Sequence, residues 1–344
     1  MAEVALREQD PERVRTRSSP RWSVDVSRYG AVLIGLAGLI IVLSVTQDGF
    51  LTVGNLSNVL QTNAALLICS VGMTFVVLLG GFDLSVGGFL ALGAVILAKL
   101  LDSGLPAALA VVVVLAVGLA ASALTNATFV ALLGLNFFVV TIATDALFSG
   151  LALVLTDGRT LPMYENDFIV WLGTGSILGV PVTVAVAVLV AVGAAAGLHF
   201  TGLGRMIYAV GGNAEAAHLA GINVKAVKAT AYLLCTGCAV LAGLVMAARI
   251  QSAGPTMGAG IALQAAAAVL LGGTSFLGGE GGILGTVLGV LFLGILSNGL
   301  TMAGISGFWQ GVVTGAVLLG AILTDWIRPR LGSGRRRRPR IREG

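Results

Sequence analysis

Apolar residues run almost without interruption through this chain, broken only by short polar or glycine-rich stretches. A membrane-crossing helix needs about 20 mostly apolar residues. Ten segments qualify as candidates: 30–46, 64–79, 84–100, 107–125, 137–155, 180–200, 229–247, 263–271, 283–300 and 308–323. The second and eighth are short. Ahead of the second, residues 51–63 alternate Leu51, Val53, Leu56, Val59 and Leu60 with Asn55, Asn58 and Gln61, which reads as an amphipathic helix lying at the membrane interface. Residues 170–179 are apolar but too short to span, and read as a re-entrant or interfacial piece.

Composition agrees with that pattern. Of 344 residues, 57% are hydrophobic and 10% charged. Soluble domains carry about 25% charge, so too little polar surface exists here to coat a water-soluble globule. Glycine supplies 49 residues without a collagen period, as expected where membrane helices pack closely. The sequence therefore predicts an all-α polytopic membrane protein of about ten transmembrane helices with glycine-broken segments.

Charge sets the expected orientation. Six of the 20 Lys and Arg lie between Arg7 and Arg28, and eight between Arg328 and Arg342; only Lys99, Arg159, Arg205, Lys225, Lys228 and Arg249 remain for the interior. Basic flanks stay in the cytoplasm, so both termini are expected inside and the span count even. The expected organisation is a basic tail over 1–28, a transmembrane domain over 29–326 and an Arg-rich tail over 327–344. The Arg335–Arg338 run in that last tail reads as a solvated segment touching anionic lipid; a nucleic-acid role would need a basic face on a folded domain. The order of spans places the long polar loop 201–228 in the cytoplasm.

Two glycine-rich interruptions fall inside apolar runs, Gly80–Gly88 and Gly272–Gly282, each preceded by Val-Leu-Leu. Paired broken segments point to a transport pathway, because non-helical backbone at membrane depth must face protein or a water-filled cavity. Asp83 in the first break reads as a gate or hinge carboxylate that caps the helix restarting near Leu84, with Ser85 beside it, or else as a structural cap alone, or as a residue at the cytoplasmic edge that meets water. Asp145 in the fifth span has no evident partner, Lys99 reaches for the interface, and Glu280 meets water in a loop. Neutral groups, among them Thr74, Thr141, Thr144, Thr274, Ser275, Ser297 and Asn298, outnumber these charges and suit an uncharged polyhydroxylated solute. For any one hydroxyl, a bond to its own helix carbonyl is the stronger reading.

The segment Gly211–Gly221 is the sharpest local motif. Asn213 is a good N-cap, Glu215 suits the positive end of a helix and Gly221 is a good stop. A helix of two turns is marginal alone and must dock, either against a cytoplasmic partner or flat on the membrane. Cys235 and Cys238 form a C-x-x-C without strand context, and with Cys69 they read as packing. No Gly-Lys-Ser/Thr and no metal-spaced His/Cys cluster occurs, so no ATPase, enzyme, metal or cofactor role is expected in this chain.

The chain resembles the permease subunits of bacterial ABC importers for monosaccharides, the ribose/xylose/arabinose branch. The resemblance spans about Phe50 to Asp325 and rests on Gly72-Met73-Thr74, Gly81–Gly87, Thr201–Arg205, Ala209–Asn213, Gly221–Val224, Val269–Ser275 and Ser297–Leu300. It implies a homodimer in the bacterial cytoplasmic membrane, a cytoplasmic ATPase subunit that uses the ATP, and an extracytoplasmic sugar-binding protein. It further implies that Ala209–Val224 inserts into the ATPase, with Gly212, Asn213, Glu215, Ala217 and Gly221 as coupling residues, and that the Gly81–Gly87 break lies beside the central pathway; with the neutral polar groups, the expected pathway residues are Asp83, Ser85, Thr274, Ser275 and Asn298. Glu280 and Ser149 stand where that family commonly carries basic residues. The rival expectation is a secondary transporter driven by an ion gradient, with Asp83 and Asp145 as coupling carboxylates. An intramembrane hydrolase lacks a base near any serine.

Overall fold

A computed structural model describes residues 26–332 with the exception of Tyr164. Most of the N-terminal basic tail and the Arg335–Arg338 run of the C-terminal tail lie outside those residues. Every one of the ten apolar segments falls on a helix: α1 (Val26–Thr46), α2 (Val53–Val77), α3 (Val86–Asp102), α4 (Ala107–Ser122), α5 (Phe137–Thr156), α7 (Val182–Phe200), α10 (Val224–Ile250), α11 (Ile261–Leu271), α12 (Ile283–Met302) and α13 (Phe308–Gly332). Among the described residues, seven segments are long and apolar enough to cross a bilayer, taking α4 together with the π-helical Ala123–Leu132 that continues it. Three fall short of that measure: α3, α11 and α13. The protein is an all-α polytopic membrane protein.

Burial explains why the chain folds around two of these helices. Among the seven longer segments α2 and α10 are the most enclosed, while α1, α4 and α5 leave most of their apolar surface outward, where lipid replaces protein. α10 lies against α2, α3, α4 and the π-helical turn; α2 also meets α7, α11 and α12. At the α2–α10 crossing Gly72 faces Cys235 and Cys238, and a Cβ on Gly72 would sit 2.7 Å from that of Cys238. All three cysteines are free and none is exposed. The C-x-x-C is therefore packing, as its context suggested.

One expectation changes. Residues 51–63 do not form a separate interfacial helix: from Val53 onward they are the first half of α2, started by Thr52, whose hydroxyl accepts from the Asn55 N–H at 3.3 Å. No breaker separates Asn63 from Ala64, so the helix continues, and its Asn55 and Asn63 turn toward α12. Residues 170–179 resolve into a short helix, α6 (Asp167–Thr174), and a tight hairpin. In that hairpin β2 (Ser176–Ile177) pairs with β3 (Val180–Pro181) around the fully exposed Leu178. α6 buries Ile169 and Leu172 against the bundle.

The connections sort to two ends. At one end β1 (Leu161–Pro162) pairs antiparallel with β4 (Ser252–Ala253), beside α6. At the other lie both glycine-rich breaks and the helices α8 (Gly202–Gly212) and α9 (Ala214–Leu219). The last helix continues to Gly332, into the stretch expected as tail.

Candidate functional site

Leu78, one residue past α2, is where three separate parts of the sequence meet. Its carbonyl accepts the Gly279 N–H at 2.8 Å, joining the first break to the second. A Cβ on Gly211, at the end of α8, would lie 1.9 Å from that same carbonyl oxygen and 2.7 Å from the Gly279 nitrogen. Tyr208 of α8 donates its hydroxyl to the Gly281 carbonyl at 3.0 Å. Phe82 stacks at 5.2 Å on Phe276 and at 6.5 Å on Phe137. Sequence reading assigned the breaks to a pathway and the 201–228 loop to a partner. Tertiary structure makes them one junction.

Asp83 and Ser85 are wholly buried, which removes the wet-edge reading of Asp83. The carboxylate accepts the Ser85 N–H at 3.0 Å and the Ser85 hydroxyl, and both its oxygens accept the Asn126 amide at 3.2 Å. The Asn126 amide also donates to the Ser85 hydroxyl at 2.7 Å. Asn126 belongs to the site and was missed. Its sequence signal was a lone amide inside an apolar run, and its placement comes from the π-helical turn around it, a feature frequent at functional sites. The expected helix cap is also reassigned. α3 begins at Val86, and its open N–H of Gly88 is met at 2.7 Å by Asp145 from α5. Asp145, partnerless in sequence, caps a helix across the bundle, where a carboxylate is favoured by the exposed N–H groups.

The remaining predicted pathway residues do not gather around Asp83. Thr274 and Ser275 lie in the second break, whose turn is closed by the Ser275 N–H donating to the Glu280 carbonyl at 2.8 Å. Asn298 is near the far end of α12. There it exchanges two amide hydrogen bonds with Asn55 of α2, at 3.1 and 2.9 Å. Several hydroxyls serve the helices themselves. Thr74 donates to the Ser70 carbonyl and meets Thr286 at 2.7 Å, and Thr141 bonds the Phe137 carbonyl. Glu280 is exposed, as expected of a loop residue.

The short helix forms where its caps predicted. Asn213 accepts the Ala216 N–H at 2.9 Å, and Gly221 takes a left-handed φ of 85° that ends α9. Gly212, Asn213, Glu215 and Gly221 are exposed. Ala217 is not: it turns inward at 5% exposure and helps seat α9 on its own chain. Leu219, overlooked in the sequence, is 82% exposed instead. Between α9 and residues 130–134 runs an open groove of about 700 Å³, flanked by Lys225 and Lys228.

Glycine-hinged breaks, a docked surface helix and a bundle of apolar spans define a membrane transport permease. The chain belongs to the family described as the permease component of the branched-chain amino acid transport system, which its residues 55–322 match. The chain is 43% identical over 296 residues to the ribose import permease protein RbsC of Escherichia coli K12, covering 85% of this chain and 92% of that one. It is 41% identical to the RbsC of Bacillus subtilis 168, covering 85% and 91%. To the D-allose transport system permease protein AlsC of Escherichia coli K12 it is 34% identical, covering 87% and 91%. No solved structure matches it significantly. Members of this family are permease components and not enzymes, in line with the chemistry absent from the motifs.

Proposed function

We propose that this chain is the membrane permease of an ATP-driven importer that carries a monosaccharide across the bacterial cytoplasmic membrane. The observation that carries the reading is the junction at Leu78. An ATPase that moves α8 and α9 moves Gly211, and through it both glycine-broken segments, because backbone touches backbone there. Relatives named for ribose import and D-allose transport support a monosaccharide as the solute.

In this reading α11, α3 and α13 cross along with the seven longer segments, making ten spans with both termini inside. The end bearing α8, α9, Arg205, Lys225 and Lys228 is cytoplasmic, as the positive-inside rule favours. The end bearing Asp157, Glu165 and Asp167 receives the sugar-binding protein. Two copies of the chain enclose the pathway, and the ATP belongs to the ATPase subunit. The ion-coupled alternative is less favoured, because Asp83 is sealed among its own donors and Asp145 is spent on capping α3.

Purification of the tagged chain in mild detergent, with mass spectrometry of what accompanies it, tests the assignment. A P-loop ATPase in about equal amount is the expected result. A clean homo-oligomer that takes up solute after reconstitution alone would hand the case to the ion-driven carrier.

Because Leu219 and not Ala217 presents an apolar surface on α9, Leu219→Asp is expected to lower ATPase recovery about tenfold. The permease itself stays folded, since the side chain is exposed. Undiminished recovery would move the docking surface elsewhere.

A further inference from the structure

α2 and α12 run side by side away from the breaks, and both carry amides and hydroxyls at the same height. Asn63 lies fourteen residues before the end of α2 at Val77, and Ser297 fourteen residues after the start of α12 at Ile283. Each is therefore about 21 Å along its helix from the breaks, at 1.5 Å per residue. Between them opens a cavity of about 240 Å³, rimmed by Asn58, Thr62 and Thr301. A second space of about 50 Å³ begins at the same Asn63 and Ser297 and reaches Gln264 on α11 and Thr314 on α13. Leu66 and Leu293 line that side.

This space is built into the backbone. Gly294 stands opposite Asn63, and a Cβ there would come within 2.5 Å of the Asn63 amide nitrogen. The Asn63 amide donates to the Val59 carbonyl at 2.8 Å, which holds the side chain back along α2. Arg249 of α10 fixes the rim by donating to Asn58 at 3.1 Å and to Thr62 at 2.7 Å. Below the rim, neither the Gln264 amide nor the Ser297 hydroxyl has a hydrogen-bond partner among the described residues.

Amides and hydroxyls at this depth need water or a solute, because hydrocarbon satisfies none of them. We infer that the cavity between Asn63 and Ser297 is a solute subsite, holding a neutral polyhydroxylated ring with Gln264, Leu66 and Leu293 at its narrow inner end. Neutral donors and acceptors match sugar hydroxyls in both senses, and Leu66 and Leu293 suit the C–H face of a ring. The inference deepens the sugar-permease reading and rests on it. It also adds a pathway contact: Asn298, the polar residue expected there, lines the larger space with its amide paired to Asn55, and its neighbour Ser297 lines both spaces.

The test uses the complete importer in proteoliposomes, with radiolabelled D-ribose and D-allose as probes and a membrane-impermeant methanethiosulfonate as thiol reagent. Ser297→Cys is expected to react with the reagent, and its modification to lower uptake about tenfold. Val188→Cys on the outward side of α7 and the wild type, whose cysteines are not exposed, are expected to stay unmodified. Asn63→Ala is expected to change the ratio of ribose to allose uptake about threefold or more, whereas a merely structural loss lowers both alike. An unreactive Ser297→Cys in an importer that still takes up sugar would overturn the subsite alone. Reaction without loss of uptake, together with an unchanged ratio, would overturn it too. A wild type that assembles with its ATPase but moves neither sugar would overturn the sugar reading, and the inference with it.

Discussion

Gly211→Ala will abolish uptake and destabilise the protein by about 1–3 kcal/mol, the range for forcing one extra carbon into a closed interior. The new Cβ meets the Leu78 carbonyl oxygen at 1.9 Å and the Gly279 nitrogen at 2.7 Å. Both are backbone atoms, so no side-chain rotation relieves the clash. α8 has to back away, or the Gly279 to Leu78 hydrogen bond has to open; either separates α8 from the breaks. Gly193→Ala on α7 is the control, because a Cβ there meets nothing within 4 Å. In the middle of a helix that change stabilises slightly, by reducing the freedom of the unfolded chain. Thermal unfolding in detergent read beside uptake checks both variants. Wild-type uptake by Gly211→Ala would break the proposed link between α8 and the pathway.

Asp83→Ala is expected to carry the second-largest effect, about 2–4 kcal/mol of stability with loss of uptake. The carboxylate is the acceptor for the Ser85 N–H, the Ser85 hydroxyl and the Asn126 amide, all three residues being fully buried. Removing it leaves donors with no water to turn to, and in a closed interior that costs more than the bonds themselves contributed. Asn126→Ala removes the opposite side of the same network. The double variant should therefore be less damaged than the two single effects added together, by about 1–3 kcal/mol. Additive effects in that cycle would mean that Asp83 and Asn126 act independently. Normal uptake by a destabilised Asp83→Ala would reduce the residue to a structural cap.

Much of this was legible in one dimension. Asn213 and Gly221 announced α9 because caps are local: a side chain meets an N–H three residues on, and a left-handed turn needs glycine. Asp145 was visible but mute. Its partner, the Gly88 N–H, lies 57 positions away, and no local pattern connects a mid-span carboxylate to another helix's first turn. Ala217 and Leu219 were harder. With α9 only six residues long, several small side chains read alike, and the face turned inward depends on what α9 sits against. Asn126 stayed hidden because the π-helical turn that aims it departs from the 3.6-residue period on which helix faces are read.

The sequence by itself determined the class of fold. Long apolar runs have one stable form in lipid, the helix, so the segments, their order and the glycine breaks between them follow from composition and spacing. Tertiary structure alone decided what those breaks touch. Leu78, Gly211 and Gly279 are far apart in the chain, and they meet because glycines let backbone approach backbone where any Cβ would intrude. The same holds for the crevice. Asn63 and Ser297 become neighbours only when α2 lies along α12, with Gly294 leaving the room between them.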